Sequence, residues 1–361
     1  MLRIFTAMLL FISASLLLGE SLPVDSPRWD VKAKTFKIEQ FAGQKGILIE
    51  RGSMLLKDTE FSNGTIEYDF LTDGTRGFSG VQFRLNVSGS NKNGEEFYIR
   101  HHLSGKPDAT QYTPLVNSLS AWQLYHGPQY STALPFKLNE WTHVKIVVEG
   151  QLADFYFNRA KLPTLTVRLK SKEKKGAVAV YSNFAPGRFA NISITPDSGE
   201  KVVGKPVDYQ PTPDSRVMKW EVSNAFDQTQ LADSLILPTE LMAQLKWHSL
   251  EAEEKGIANL SKVNQVGGGT NTAFARFTID SENEQLKPIN IGYSDKVRVY
   301  VNGQMIYAGT NRYVTRDYRY LGTIGLFDTV IAPLKPGKND IVFAVTEAFG
   351  GWGIMADYNH D

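Results

Sequence analysis

Ile66-Glu67-Tyr68-Asp69-Phe70, Val81-Gln82-Phe83-Arg84-Leu85, Phe97-Tyr98-Ile99-Arg100 and Trp122-Gln123-Leu124-Tyr125 alternate apolar with polar residues. Side chains on a strand point alternately to its two faces. The period-two pattern therefore collects Ile66, Tyr68, Phe70, Val81, Phe83, Leu85, Phe97 and Ile99 into a core. If the four strands are neighbours, the opposite face gathers Glu67, Asp69, Gln82, Arg84, Tyr98, Arg100, Gln123 and Tyr125. Acids, arginines, amides and phenols on one face suit a hydroxyl-rich ligand. The pattern indicates a ligand class rather than one ligand or one reaction.

Working outward, Gly46 to Ile194 is a succession of short β-rich segments punctuated by Asn63-Gly64, Asp73-Gly74, Asn93-Gly94, Glu149-Gly150 and Pro186-Gly187. Regular strands with such turns predict a sandwich or jelly roll. Thr142 to Val148 and Gln151 to Asn158 predict a hairpin, with Val144, Ile146 and Val148 alternating on its first strand. Residues 197–214 hold three prolines and two glycines and read as a linker. Beyond it, Trp220 begins a second β-rich region with one short helix near Thr239 to Leu245. Further strands are expected at Ala273 to Ile279, Ile289 to Ile291, Lys296 to Asn302, Gln304 to Ala308, Thr329 to Ala332 and Asp340 to Thr346. The fold class is all-β, two β-sandwich domains over residues 22–196 and 215–361.

A chain of 361 residues is long enough for two such cores. Its 39 basic and 38 acidic residues leave a formal net charge of +1, so nothing favours nucleic acid, whose binding draws on a basic excess or stripe. Arg3, then an apolar run from Ile4 to Leu18 broken only by Thr6, Ser13 and Ser15, reads as a signal peptide over residues 1–21. The alternative is an uncleaved anchor, but the run falls short of the roughly 20 residues of a spanning helix. The expectation is an exported protein, periplasmic or secreted and bacterial, with no stable membrane insertion after cleavage. There is no cysteine, so stability must come from packed cores.

On the polar residues, several chemistries compete. Glu67 and Asp69 lie two apart on one strand face, about 7 Å along it, within the roughly 5 to 9.5 Å that paired carboxylates need for glycoside hydrolysis. Solvated or arginine-paired carboxylates are the plainer reading. Arg84 and Arg100 can clamp a sugar oxygen or an anion, or else neutralise the two acids across the sheet. Tyr98, Tyr125 and Trp122 offer surfaces for stacking on a pyranose, and strict alternation turns Trp122 to the core, which favours Tyr125. His101 and His102 face opposite ways on a strand and cannot share a metal. His126, before the Gly127-Pro128 turn, stands where a general base would sit. Asp227, Asp280, Glu282 and Asp295 supply oxygen ligands for a structural Ca2+, without diagnostic spacing. Trp352, between glycines, is either a binding aromatic or a plug at the end of the core.

Phe61 to Phe70, Ser79 to Arg84 and Asn139 to Ile146 resemble the concanavalin A-like, laminin G-like jelly rolls, especially the bacterial domain linked to 3-keto-glycoside hydrolysis. Phe155-Tyr156-Phe157-Asn158 and Phe189 to Ile194 continue the resemblance, which covers Trp29 to Ile194. The family pattern has Gly after the asparagine at 158, where this chain has Arg159. Hydrolases of this fold carry an additional carboxylate in a tight acidic strand motif, and Phe70-Leu71-Thr72 breaks that continuation. The second half resembles a galactose-binding-like jelly roll through Trp220 to Phe226, Ile291 to Gly303, Leu334 to Phe343 and Gly350 to Gly353. The reading these resemblances imply is an exported carbohydrate-binding protein that recognises a polysaccharide or oligosaccharide through Gln82, Arg84, Tyr98, Arg100, Gln123 and Tyr125. The alternative is a glycoside hydrolase or 3-keto-glycoside hydrolase using Glu67 and Asp69 with Arg84 and Arg100, with His126 as a further catalytic candidate. A third reading is an adhesive module for a protein partner.

Overall fold

The computed structural model describes residues 21–231, 234–316 and 321–358, so the expected signal peptide lies outside the described residues except for Ser21. The first half contains β1 (Ser21–Leu22), β2 (Trp29–Phe41), β3 (Gln44–Leu56), β4 (Gly64–Leu71), β5 (Phe78–Ser88), β6 (Asn91–Arg100) and β7 (Thr110–Val116). It continues with β8 (Leu119–Ser120), β9 (Ser131–Thr132), β10 (Thr142–Glu149), β11 (Leu152–Phe157), β12 (Leu165–Arg168), β13 (Ala177–Asn183) and β14 (Gly187–Pro196). These strands pair in the order β12-β11-β10-β4-β14-β3-β13-β5-β6-β7-β8. The order folds over at β3. Its Ile47–Ile49 stretch pairs with β14 and its Gly52–Leu55 stretch with β13, while β2 runs along its other edge throughout. Between the two stretches Arg51 takes φ 50° and Gly52 follows, where an added Cβ would lie 2.2 Å from the Ala33 Cα. The bent β2–β3 hairpin is thus the hem of two facing sheets, a jelly-roll sandwich.

Between the sheets lie the residues that alternation assigned to the core. Ile66, Tyr68, Phe70, Val81, Phe83, Phe97 and Ile99 are all buried in one cluster, where Phe97 stacks on Phe155 at 4.4 Å. Leu85 is the exception, and the reason is local. The β5–β6 register shifts between Phe83 and Asn86, and Arg84 takes φ 49°. A bulge adds one residue and reverses the alternation beyond it. Leu85 therefore joins Leu115 and Ala179 on the far face, and Arg84 turns inward.

Two further expectations are corrected. The four alternating segments are not neighbours, because β14, β3 and β13 separate β4 from β5. Trp122 to Tyr125 is not a strand but a turn, closed by Leu124 N and Tyr125 N donating to the Ala121 carbonyl. The expected hairpin is present as β10 and β11, in register from Val144–Phe157 to Glu149–Leu152.

The second half contains β15 (Lys219–Ser223), α1 (Thr239–Gln244), β16 (Trp247–Glu251), β17 (Ala258–Asn259), β18 (Thr272–Ser281) and β19 (Gln285–Tyr293). It ends with β20 (Lys296–Val301), β21 (Gln304–Thr310), β22 (Asp328–Leu334), β23 (Gly337–Thr346) and β24 (Gly353–Asp357). Two antiparallel sheets, β16-β15-β18-β23-β20-β21 and β17-β24-β19-β22, enclose its core. Asn302 and Gly303 turn the β20–β21 hairpin with φ 50° and 85°, the positive angles their types admit. Trp352 is fully buried and donates to the Val345 carbonyl at 3.0 Å, so it plugs the core. Among the described residues no helix is long and apolar enough to cross a membrane.

The stretch read as a linker is strapped to the first sandwich: Val203 N and Gly204 N donate to Asp154 Oδ2 at 2.7 and 3.0 Å. The two sandwiches also share apolar contact, since Ile257, Ile324 and Met355 belong to the first core cluster. Polar bonds fix the junction. Gln123 N donates to the Gly350 carbonyl, Ile324 N to the Gln123 carbonyl, and Lys170 Nζ to Glu254 Oε2.

Arg159, exposed after β11, keeps the turn geometry of the glycine it replaces, with φ 59° next to Asn158 at 51°. A non-glycine residue there carries a steric cost of order 1 kcal/mol. Arg159→Gly should raise the urea midpoint by an amount equivalent to about 0.5–1 kcal/mol, with no change in the denaturant slope.

Candidate functional site

Across β13, β5, β6 and β7, registers align Tyr181, Gly80, Tyr98 and Gln111 in one row, and Ala179, Gln82, Glu96 and Thr113 in the next. Gly80 is demanded by this packing, because a Cβ there would lie 1.9 Å from the Phe97 carbonyl oxygen. Gln82 Nε2 donates to Glu96 Oε1 at 3.3 Å, and Tyr98 OH donates to Gln111 Oε1 at 3.1 Å. Burial pushes the hydroxyls of Tyr98 and Tyr181 well above the ordinary tyrosine range. This outer face is a ladder of neutral and paired polar groups.

Gln111 is its pivot. Its Oε1 accepts from Tyr98 OH and Arg100 Nη2, while its Nε2 donates to the carbonyls of Trp122 at 2.9 Å and Tyr125 at 2.6 Å. One buried amide thus uses both donors and both acceptor sites of its side chain. Arg100, further held by donation from Nη1 to the Asp108 carbonyl at 2.6 Å, lies with its guanidinium 5.1 Å from the Tyr98 ring centre. The turn carrying Trp122 is anchored by the same amide.

At the end of the ladder, where the sandwiches meet, is a cleft of about 460 Å³ lined by Arg100, Asp108, Gln111, Trp122, His126, Thr132 and Thr323 among others. Trp122 is half-buried and extends an aromatic wall, with Phe349 at 5.8 Å and Tyr313 at 6.4 Å, both edge-on. Arg76 Nη2 donates to Tyr313 OH at 2.5 Å. His126 Nε2 lies 3.0 Å from the Ile324 carbonyl, so that nitrogen carries the proton and Nδ1 is the bare one. Burial lowers the imidazole pKa and keeps it neutral at pH 7. A groove of similar size, about 450 Å³, opens near Leu286, Asn302 and Lys335 in the second sandwich, but no aromatic ring lines it. The junction cleft alone of the two combines a planar cation, hydroxyls, an imidazole and an indole ring.

Of the residues expected on one face, the structure unites Gln82, Tyr98 and Arg100, and brings Arg100 together with His126. The others lie elsewhere. Arg84 is buried inside the bulge, where Nε donates to the Ser62 carbonyl at 2.8 Å and Nη2 to the Gly150 carbonyl at 2.7 Å. Tyr125 is buried, its hydroxyl donating to Glu253 and accepting from Asn259 Nδ2. Trp122, expected in the core, lines the cleft instead, because the turn at 121–125 frees it from strand alternation. Gln123 is buried at the junction. Gln111, the pivot, was missed. Its signal was the alternation of Gln111, Tyr112, Thr113 and Pro114 on β7, weaker than that of the other strands.

Glu67 and Asp69 form a separate cluster on β4, so they do not share a site with Arg84 and Arg100. Their partner is His143 on β10, whose Nδ1 lies 2.8 Å from Asp69 Oδ1 and whose Nε2 lies 3.3 Å from Glu67 Oε2. Asn191 Nδ2 donates to Asp69 Oδ2 at 2.7 Å. Hydrogen bonds to the two carboxylates push the His143 pKa up to about 9. The four calcium candidates also lie apart, and Glu282 is exposed just after β18. Asp227 is capped by Thr229 at 2.8 Å, Asp280 is exposed on β18, and Asp295 is buried at the junction. Among the described residues no group of three or more His, Cys, Asp or Glu side chains is placed to hold a metal.

Comparison with known proteins bears on the first half. Residues 24–195 match the family of 3-keto-alpha-glucoside-1,2-lyase-like domains, which makes this half a carbohydrate-related jelly-roll domain. Among solved structures, this half is similar to a carbohydrate-binding module from Bacillus subtilis at 16% identity and TM-score 0.35, covering 46% of this chain and 93% of that one. It is similar also to an alginate lyase from a Chlorella virus, at 10% identity and TM-score 0.31, covering 46% of this chain and 92% of that one. A third is a β-glucanase from Bacillus licheniformis, at 9% identity and TM-score 0.31, covering 45% and 89%. No curated protein matches the chain.

Two outcomes follow from the geometry. Gln111→Leu leaves Arg100 and two carbonyls without their partner and should cost about 2–4 kcal/mol in chemical denaturation. His143 has a folded pKa above its unfolded 6.5, so its stabilisation is complete below pH 6.5 and is lost as pH rises through about 9. The difference in melting temperature between wild type and His143→Gln should therefore be greatest at pH 6 and shrink steadily by pH 9.5.

Proposed function

We propose that the protein is an exported carbohydrate-binding protein that holds a polysaccharide, or an oligosaccharide derived from one, in the cleft between its sandwiches. The observation that carries this reading is the cleft itself. Trp122 offers an apolar ring face, and Arg100, His126, Thr132 and Thr323 surround it with groups that exchange hydrogen bonds with hydroxyls, while Gln111 holds Arg100 and the Trp122 turn in place. The match of residues 24–195 to a glycoside-related family supports the ligand class. The second sandwich, read as a galactose-binding-like module, supplies Leu321 and Thr323 to the lining and packs Phe349 edge-on against Trp122.

A second reading rests on His126. A neutral imidazole with a bare Nδ1 in a cleft beside a guanidinium is suited to general-base work. On a 3-keto glycoside it would take the proton from C2, beside the ketone. The electron pair then forms the C1–C2 double bond as the glycosidic oxygen leaves.

Glycan arrays followed by calorimetry test the first reading. Trp122→Ala and Arg100→Ala should each weaken the best ligand at least about tenfold, whereas Glu67→Gln should leave affinity unchanged. Intact affinity in both cleft variants would place the site elsewhere. Release of reducing ends or of an unsaturated product, abolished in His126→Gln, would establish the second reading.

A further inference from the structure

The outer polar face of the first sandwich ends in a row of side chains that continues the cleft. Register sets Asn183 on β13 opposite Phe78 on β5, and Phe78 opposite Arg100 on β6. Directly opposed residues share a face, so Asn183 and Phe78 stand on the side of the sheet from which Arg100 lines the cleft. Phe78 is half-buried and packs edge-on against Tyr98 at 5.8 Å and His102 at 6.0 Å. Phe184, next to Asn183, packs edge-on against Phe78 at 5.5 Å. The row thus runs from the cleft across β6 and β5 to the turn between β13 and β14.

Phe184 is held there at a cost. Ala185 N donates to the Asn183 carbonyl at 3.0 Å, closing a three-residue turn around Phe184, whose φ is 71°. This is the γ-turn of positive φ, the rare and strained form, in a region that glycine enters freely. The ring is nevertheless 57% exposed, so burial offsets only part of that strain. Asn183 is exposed as well. A strained backbone that holds an apolar ring in solvent beside an amide fits a ligand contact better than a packing role. Two phenylalanine rings, about 150–250 Å² each at full burial, fall well short of the roughly 800 Å² that each partner gives a stable protein complex. A flat apolar ring with an amide at its side matches one sugar unit in size and chemistry.

We propose that Phe184, Phe78 and Asn183 form an outlying subsite for a further unit of the same glycan chain, stacked on Phe184 with its hydroxyls bonded to the Asn183 amide. This rests on the cleft as the glycan site. The first units of the chain lie in the cleft, and the row carries it past Arg100 to Phe184. The ligand class is then an extended chain held over several units rather than a single terminal sugar.

Calorimetry on the full chain tests this. The probes are cello-, laminari- and malto-oligosaccharides together with the series of the best array ligand, each from disaccharide to hexasaccharide. Wild-type affinity should rise with chain length. Phe184→Ala keeps the Cβ and the turn and removes only the ring; it should weaken the hexasaccharide about fivefold or more and leave the disaccharide unchanged. Trp122→Ala should weaken both. Hexasaccharide affinity unchanged in Phe184→Ala would overturn the subsite and leave the cleft intact, and an equal loss for both lengths would overturn it too. Self-association lost in Phe184→Ala with glycan affinity unchanged would assign the ring to a second copy of the chain instead. Intact affinity in Trp122→Ala would remove the cleft reading itself, and no binding in any series would overturn both.

Discussion

The side-chain amide of Gln111 is the contact on which the rest of the site depends. It sits on the outer face of β7, holds the Arg100 guanidinium on one side and the backbone of the Trp122–Tyr125 turn on the other. That bond pair sets the height of the turn above the sheet together with the burial of Leu124 and Tyr125 in the core. With it, the Gln123 backbone reaches the Gly350 carbonyl and accepts from Ile324 N, and the second sandwich docks. One amide therefore couples the polar ladder of the first sandwich to the wall supplied by the second.

This coupling gives the two polar clusters different characters. Glu67 and Asp69 share His143 on a single sheet, with both ring nitrogens committed to carboxylates. Such a cluster has little left to offer a ligand, and its measurable effect is on stability. The cleft has the opposite balance: Arg100 and Gln111 are held rigid by their own bonds, while Trp122 and the bare nitrogen of His126 are oriented without being consumed. Rigid polar groups beside an open ring face bind at low entropic cost.

Much of the fold was legible in the sequence because alternation and turn residues report directly on strand faces. Seven of the eight residues assigned to the first core are there, the β10–β11 hairpin and the Asn302-Gly303 turn are as expected, and the short helix starts at Thr239. The failures have equally local causes. A single extra residue at the Arg84 bulge inverted the sense of Arg84 and Leu85, and no periodicity argument detects a bulge whose φ is carried by an arginine. Alternation in Trp122 to Tyr125 imitated a strand although the segment is a turn, which exchanged the places of Trp122 and Tyr125. Strand order was invisible too, so Glu67 and Asp69 were grouped with arginines on β5 and β6, beyond three intervening strands. His143, which pairs with them instead, is a neighbour only through the register of β4 with β10.

The central claim is that ligand recognition belongs to the junction cleft and not to the outer face of β4. Amide hydrogen exchange with and without a saturating oligosaccharide distinguishes them in one measurement. Slowed exchange at residues 108–132 and 321–324, with 65–70 and 142–146 unchanged, is the result this account predicts. Protection centred on 65–70 and 142–146, with the cleft segments unaffected, would contradict it.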